Sequence, residues 1–242
     1  MKIRILDVDV YYRSIKALDR VTVEIPNNSF TILLGPNGAG KTTFLRILAK
    51  LLKPKRGVVY IDGKELAKVS HHRVGYVPQR VSPTGRISVK EFLLSSIKPY
   101  GMFFTDIDRR RVREVITTLG IAHLEERALE DLSGGEFQLV LISKALLTNP
   151  DVVLLDEPLN NLDIKNQIEI MNFLKNLSKQ VTVISSLHDL NMAYKYGDFI
   201  IFLKSGKIYA AGKTEDVFTE DVIYQVFGVR PTILREYKSL VL

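Results

Sequence analysis

The chain has 242 residues, 46% of them hydrophobic and 25% charged, with a formal net charge of +7 and no cysteine. That composition suits one large soluble domain or two modest ones, and it excludes a disulfide framework, a thiolate metal site and a cysteine nucleophile. No stretch reaches the roughly 18 uncharged apolar residues of a membrane span, and the start, MKIRILDVDVYY, mixes charges into its apolar residues as a signal peptide does not.

These features predict a cytoplasmic protein. The excess positive charge reads either as an ordinary solvated surface or as attraction to lipid headgroups and nucleotide phosphates. The basic residues are scattered and not interleaved with aromatics, so no nucleic-acid partner is expected.

Loose alternation through Ile3, Ile5, Val8 and Val10, then Val21, Val23 and Ile25, predicts two half-buried strands with a turn between them. Phe30 to Leu34 is a short apolar run that stops at a glycine-rich loop, and Thr42 to Leu52 carries helical spacing. Gly57 to Ile61 followed by Asp62-Gly63 predicts a strand entering a tight turn. From about residue 84 to 149 the pattern becomes helical. Val112, Val115, Ile116 and Leu119 share a face with Gly120 as a stop, and a second helix is expected from about Glu136 to Thr148. Val152 to Leu155 then reads as a strand buried on both faces. Ile164, Ile168, Met171, Leu174 and Leu177 predict a helix whose stripe packs on the core, and Val181–Ser185 and Phe199–Leu203 predict further strands. Strands alternating with helices point to an α/β fold around a parallel sheet.

Three motifs carry chemistry. Gly35-Pro36-Asn37-Gly38-Ala39-Gly40-Lys41-Thr42 fits G-x-x-x-x-G-K-[ST], the phosphate-binding P-loop. Its glycines let backbone N–H groups converge on phosphate oxygens, and the helix after it aims its positive end at the same place. Lys41 is expected at the β- and γ-phosphates and the Thr42 hydroxyl at Mg2+. Val152 to Glu157 is a buried strand ending in adjacent carboxylates. In a parallel sheet its tip lies beside the P-loop, so Asp156 can reach the Mg2+ shell and Glu157 can accept a proton from attacking water. Leu132-Ser133-Gly134-Gly135-Glu136 precedes a helix and reads by itself as a helix cap or an anion-receptive helix start.

Taken together, the series resembles an ATP-binding cassette protein over nearly the whole chain. The resemblance implies a P-loop NTPase with a RecA-like core, an antiparallel β subdomain and a helical subdomain. It implies one cassette over residues 1–242, with core and β subdomain at about 1–83 and 150–242 and the helical part at about 84–149. Ser133, Gly134, Gly135 and Glu136 match the family's signature and imply contact with the nucleotide. Thr43 joins the P-loop set. Gln79 in VGYVPQR matches the glutamine that senses Mg2+ and the membrane partner, and His188 in SSLHDL matches the histidine that contacts the γ-phosphate. Asn160-Asn161-Leu162-Asp163 falls at the D-loop. Tyr12 sits where the family stacks an aromatic on adenine, with Tyr11 the rival for that role.

The chain departs from the family at Glu136, where Gln is commonest, at Leu139 for Arg, at Leu159 for Thr, and at Asn160-Asn161 for Ser-Ala. His71 and His72 are read as solvated loop residues and not metal ligands; His123 has no assigned role. The segment from His188 to Val229 is similar to the ATPases of importers for iron–siderophore complexes, haem and cobalamin, and the chain then stops without the long regulatory domain of sugar-type importers. The resemblance therefore implies an ATPase that uses ATP and Mg2+. Two copies would form a head-to-tail homodimer on the cytoplasmic face of the membrane. The motor would drive a separate transmembrane permease, and indirectly serve a substrate-binding protein. A soluble cassette ATPase of DNA repair or translation is the alternative. Only the 53 residues from 80 to 132 separate Gln79 from Ser133, too few for the long heptad insertion such proteins carry. An exporter motor is the other alternative. A non-hydrolysing regulator is disfavoured by the presence of both Glu157 and His188.

Overall fold

In a computed structural model, residues 2–70, 73–81, 86–97 and 103–241 are described. His71, His72 and the expected subdomain boundary at 83/84 lie outside them. In chain order the elements are β1 (Ile3–Tyr12), β2 (Ile15–Ile25), β3 (Phe30–Leu34), α1 (Lys41–Leu48), β4 (Arg56–Ile61), β5 (Lys64–Glu65), β6 (Val74–Val77), α2 (Val89–Leu94), α3 (Asp106–Thr118), α4 (Gly134–Leu146) and β7 (Val152–Asp156). Then follow α5 (Ile164–Leu177), β8 (Thr182–Ser186), α6 (Leu190–Tyr196), β9 (Phe199–Lys204), β10 (Lys207–Lys213), α7 (Thr214–Val217), α8 (Glu220–Phe227), β11 (Thr232–Leu234) and β12 (Ser239–Val241).

A six-stranded sheet in the order β10-β9-β3-β8-β7-β6 forms the centre. Its strands are parallel except β10, which turns back on β9. The continuous apolar runs are explained by burial on both faces. Successive residues of a strand point to opposite sides. Accordingly Leu33, Val152, Leu154 and Ile184 join α1 and the N-terminal strands in one core, while Ile32, Leu34, Val153, Leu155 and Val183 face a second core. The N-terminal strands form a separate antiparallel sheet, β2-β1-β4-β5, in which the Asp62-Gly63 turn carries positive φ at both residues. Helices α2, α3 and α4 bury Val89, Leu93, Val112, Ile116 and Val140 in the second core.

Two expectations need correction. Helix α1 ends at Leu48, not Leu52. Lys50 takes the left-handed conformation (φ 59°), its N–H bonds Ile47 O, and Leu51 N–H reaches back to Arg46 O, a Schellman closure built without glycine. On α5 the buried residues are Ile170, Met171 and Leu174, whereas Ile164 and Ile168 are exposed. At about 100° per residue the predicted stripe drifts around the helix, and its first two positions fall on the solvent flank.

The topology decides where chemistry can occur. The C-terminal ends of β3, β6, β7 and β8 share one edge of the sheet, where open α/β sheets bind ligands. The P-loop leaves β3, Gln79 lies just past β6, Asp156 ends β7, and His188 lies two residues past β8.

Candidate active site

The P-loop is bent by two glycines that no other residue could replace in this conformation. A Cβ on Gly35 would lie 2.2 Å from the Leu203 carbonyl oxygen. Gly40 has φ 106°, and a Cβ there would lie 2.8 Å from Ala17 O. Gly40 also starts α1 without any side-chain cap and with no acidic residue in the first turn, so the helix presents bare N–H groups to the cleft. Lys41 is buried and its ammonium donates to Gly35 O at 2.8 Å and Pro36 O at 3.3 Å. Burial holds its pKa below the ordinary lysine value, while the Glu157 and Asp156 charges pull the other way.

Thr42 and Asp156 are joined directly: the Thr42 hydroxyl donates to Asp156 Oδ1 at 3.2 Å. Ser186 donates to the same oxygen at 2.8 Å and accepts the Glu157 N–H at 2.9 Å. Asp156 is 1% exposed, yet its Oδ2 has no hydrogen-bond partner among the described residues. A buried anionic oxygen without a donor is costly unless a cation meets it. One carboxylate and one hydroxyl at a phosphate-binding loop also suit Mg2+, which keeps most of its sphere for water and phosphate oxygens. The residues therefore fit that ion. Half-buried Tyr76, on β6, stands next to this carboxylate. Burial first, then the Asp156 charge, raise its phenol pKa.

Glu157 occupies left-handed backbone space (φ 52°), which turns its side chain out of the sheet and into the cleft. Three donors hold the carboxylate. Asn160 Nδ2 meets Oε2 at 2.6 Å, Gln79 Nε2 donates to the same oxygen, and His188 Nε2 lies 2.5 Å from Oε1. On the far side of this net a cavity of about 100 Å³ is lined by Glu157, Leu159, Asn160, Gln167, Leu187, His188 and Asp189. A water needs about 10–15 Å³ of such space, so several fit beside the carboxylate.

The main cleft, about 320 Å³, is lined by Tyr12, Ala17, Asn37, Gly38, Ala39, Gly40, Lys41, Thr42, Thr43, Gln79 and Glu157. The structure thus gathers most of the residues named from sequence. Tyr12 faces this cleft. Tyr11 does not line it, and Lys55 and Lys16 sit over its ring at 4.8 and 5.6 Å from the centroid. A larger groove of about 470 Å³, between the end of α1, the start of β4 and Glu65–Ala67, contains none of the site residues.

Ser133, Gly134, Gly135 and Glu136 are not in the cleft. They form the start of α4, against the turn before α5: Gly135 packs on Asn166, and Gly134 on Leu162. Ser133 Oγ accepts the Glu136 N–H at 3.3 Å, and Glu136 Oε2 accepts the Ser133 N–H at 2.8 Å, a complete capping box. That backbone hydrogen bond, then the Ser133 hydroxyl, hold the Glu136 carboxyl below its ordinary value.

The departures at three positions acquire physical content. Glu136 closes the cap, Leu159 is buried in the second core, and Asn160 holds Glu157. Sequence reasoning missed Ala17 and Ser186, and it placed Asn160 at the D-loop without its bond to Glu157. Asn160 stands three residues after Glu157, the spacing at which a turn returns a side chain to its start. Ser186 carried no signal, since its partner lies 30 residues away on another strand.

The chain is similar to known proteins. Residues 18–160 match the ABC transporter family. The chain is 38% identical to an uncharacterised ABC transporter ATP-binding protein of Methanocaldococcus jannaschii, covering 95% of this chain and 93% of that protein. It is 34% identical to the ferric enterobactin transport ATP-binding protein FepC of Escherichia coli, covering 92% and 86%. Among solved structures, a dimeric bacterial ABC transporter cassette matches with 31% identity and a TM-score of 0.76, covering 88% of this chain and 98% of that one.

Proposed function

Because the chain belongs to the ABC transporter family and is an ATP-binding and ATP-hydrolysing subunit of importer type, we propose the following division of work among its residues. The P-loop N–H groups and Lys41 grip the triphosphate, and Tyr12 stacks on the base. Thr42, Asp156 and Gln79 would hold Mg2+, which when bound would offset negative charge on the phosphates. Glu157 orients a water and takes its proton. His188, bonded to the same carboxylate, turns to the γ-phosphate.

The single observation that carries this reading is the junction of the two motifs: Thr42 on Asp156, with Glu157 opening onto the same cleft. A second copy supplies Ser133–Glu136 across the nucleotide, since one chain alone leaves that segment outside the cleft. The dimeric cassette among its structural relatives supports such a pair. Loss of the γ-phosphate removes the shared contact and lets the pair open, moving Gln79 against a membrane permease. The name of the enterobactin relative supports a transport role and a cargo of the iron–siderophore kind; a permease partner, a place on the cytoplasmic membrane face and the haem or cobalamin alternatives rest on the sequence resemblance. No helix among the described residues is long and apolar enough to cross a membrane, in keeping with a separate permease.

Glu157→Gln tests the assignment. It should bind ATP with wild-type affinity, lose at least about a hundredfold in turnover, and accumulate as an ATP-bound dimer in size-exclusion chromatography. Wild-type turnover would sink the reading.

A further inference from the structure

Ser186 ends β8 directly opposite Asp156 in the parallel register and is fully buried. A buried hydroxyl must find partners, and this one finds one on each acidic residue. Its proton goes to Asp156 Oδ1 at 2.8 Å, and its lone pair takes the Glu157 N–H at 2.9 Å. Its neighbour Ser185 bonds only locally, to Ser186 O at 3.3 Å, so the bridge belongs to one position of the strand.

The consequences converge on Asp156. A carboxylate can rotate about its last bond and offer either oxygen. Here Ser186 and Thr42 both occupy Oδ1, which leaves Oδ2 as the unpaired atom. Thr42 is itself assigned to Mg2+, whereas Ser186 is fully buried behind the carboxylate, so Ser186 is the donor whose contacts are to the two acidic residues alone. The same hydroxyl pins the peptide at which the chain enters left-handed space, φ 52° at Glu157. We propose that Ser186 is a positioning residue for the metal site: from the neighbouring strand it fixes which oxygen of Asp156 faces Mg2+, and it anchors the turn that aims Glu157. This rests on the reading of Asp156 as an Mg2+ ligand.

The test compares Ser186→Ala, Ser186→Thr and Ser186→Val in the full chain. Calorimetry measures the affinity for a non-hydrolysable ATP analogue with Mg2+ and in EDTA, and the readout is the ratio of the two. Removing an outer partner of a metal ligand typically costs about 10–100-fold in metal affinity. The Mg2+-dependent gain should therefore fall at least about tenfold in Ser186→Ala and Ser186→Val, with the EDTA affinity unchanged, and Ser186→Thr should keep the wild-type ratio. Thr and Val have nearly the same volume, so that pair isolates the hydroxyl even where Ala alters packing. A full Mg2+ gain in Ser186→Ala, or equal loss in Thr and Val, overturns the proposal. So does a drop confined to the EDTA affinity. Asp156→Asn, run in parallel, must erase the Mg2+ gain. If it does not, the metal assignment itself fails, and that failure is distinguishable from failure of the Ser186 role.

Discussion

Two helix starts in this protein are finished in opposite ways. Among the described helices of six or more residues, α1 alone lacks a side-chain cap, while α2, α3, α4, α5, α6 and α8 are each closed by Ser, Thr or Asp. At α1 the free N–H groups, a glycine at φ 106° and the buried Lys41 leave a charge-receptive cradle that only a ligand completes. At α4 the Ser133–Glu136 box satisfies the helix start by itself. The lesson is that the first start is held open at the expense of local stability, while the second is closed within the single chain. A cap that is self-sufficient in the single chain can wait in water; an uncapped buried start cannot, unless strand ends and glycines hold it.

The largest effect follows from breaking the open start. Lys41→Ala should weaken ATP binding by about a hundredfold, the scale of ~3 kcal/mol for hydrogen bonds to a charged group, measured with a fluorescent ATP analogue. Thermal stability without nucleotide should change little, because Lys41 donates only to loop carbonyls. Unchanged ATP affinity would contradict the phosphate role.

Mixing variants sharpens the comparison next. In the proposed head-to-tail pair each nucleotide would meet one chain's α1 and the other chain's α4. Lys41→Ala and Ser133→Arg should each be inactive alone. In a mixed pair both lesions fall in one site and the other site is intact, so turnover should return on mixing. If the mixture stays as inactive as its parts, the two helix starts do not serve one nucleotide across chains.

The ease of reading the two regions from sequence differs for the same physical reason. The P-loop, the β7 tip and the alternation of strands with helices were legible because their residue types are dictated locally. Glycine is needed where a Cβ would strike Leu203 or Ala17, and the continuous apolar runs follow from burial on both faces. The end of α1 was not legible. A Schellman closure normally announces itself with glycine, and here Lys50 adopts the left-handed conformation. The exposure of Ile164 and Ile168 was not legible either, because periodicity states that a helix has a face but not where the sheet edge stops covering it. Ser186 and Asn160 are the sharpest cases. Their importance lies in what they touch, Asp156 and Glu157: a serine at a strand end carries no message until the register is known, and the three-residue spacing of Asn160 allows a turn contact without saying that the turn forms.

The smallest effect concerns the closed start. Glu136→Gln keeps a side-chain oxygen for the Ser133 N–H but removes the negative charge from the first turn of α4. A charge at that place is worth about 0.3–1 kcal/mol, so the melting temperature near neutral pH should drop slightly. The pH dependence follows from the direction of the shift. Glu136 is held below its ordinary value of 4.5 by the Ser133 N–H. A depressed carboxylate adds stability that is fully present above the unfolded value and is lost as pH falls through the lower folded value. The gap between wild type and Glu136→Gln should therefore be constant from about pH 6 to 8 and close as the solution is acidified below the 4.5 of an unperturbed carboxyl. A gap that persists unchanged under acid would mean that the charge of Glu136 does not stabilise the cap, and that its hydrogen bonds alone close the start of α4.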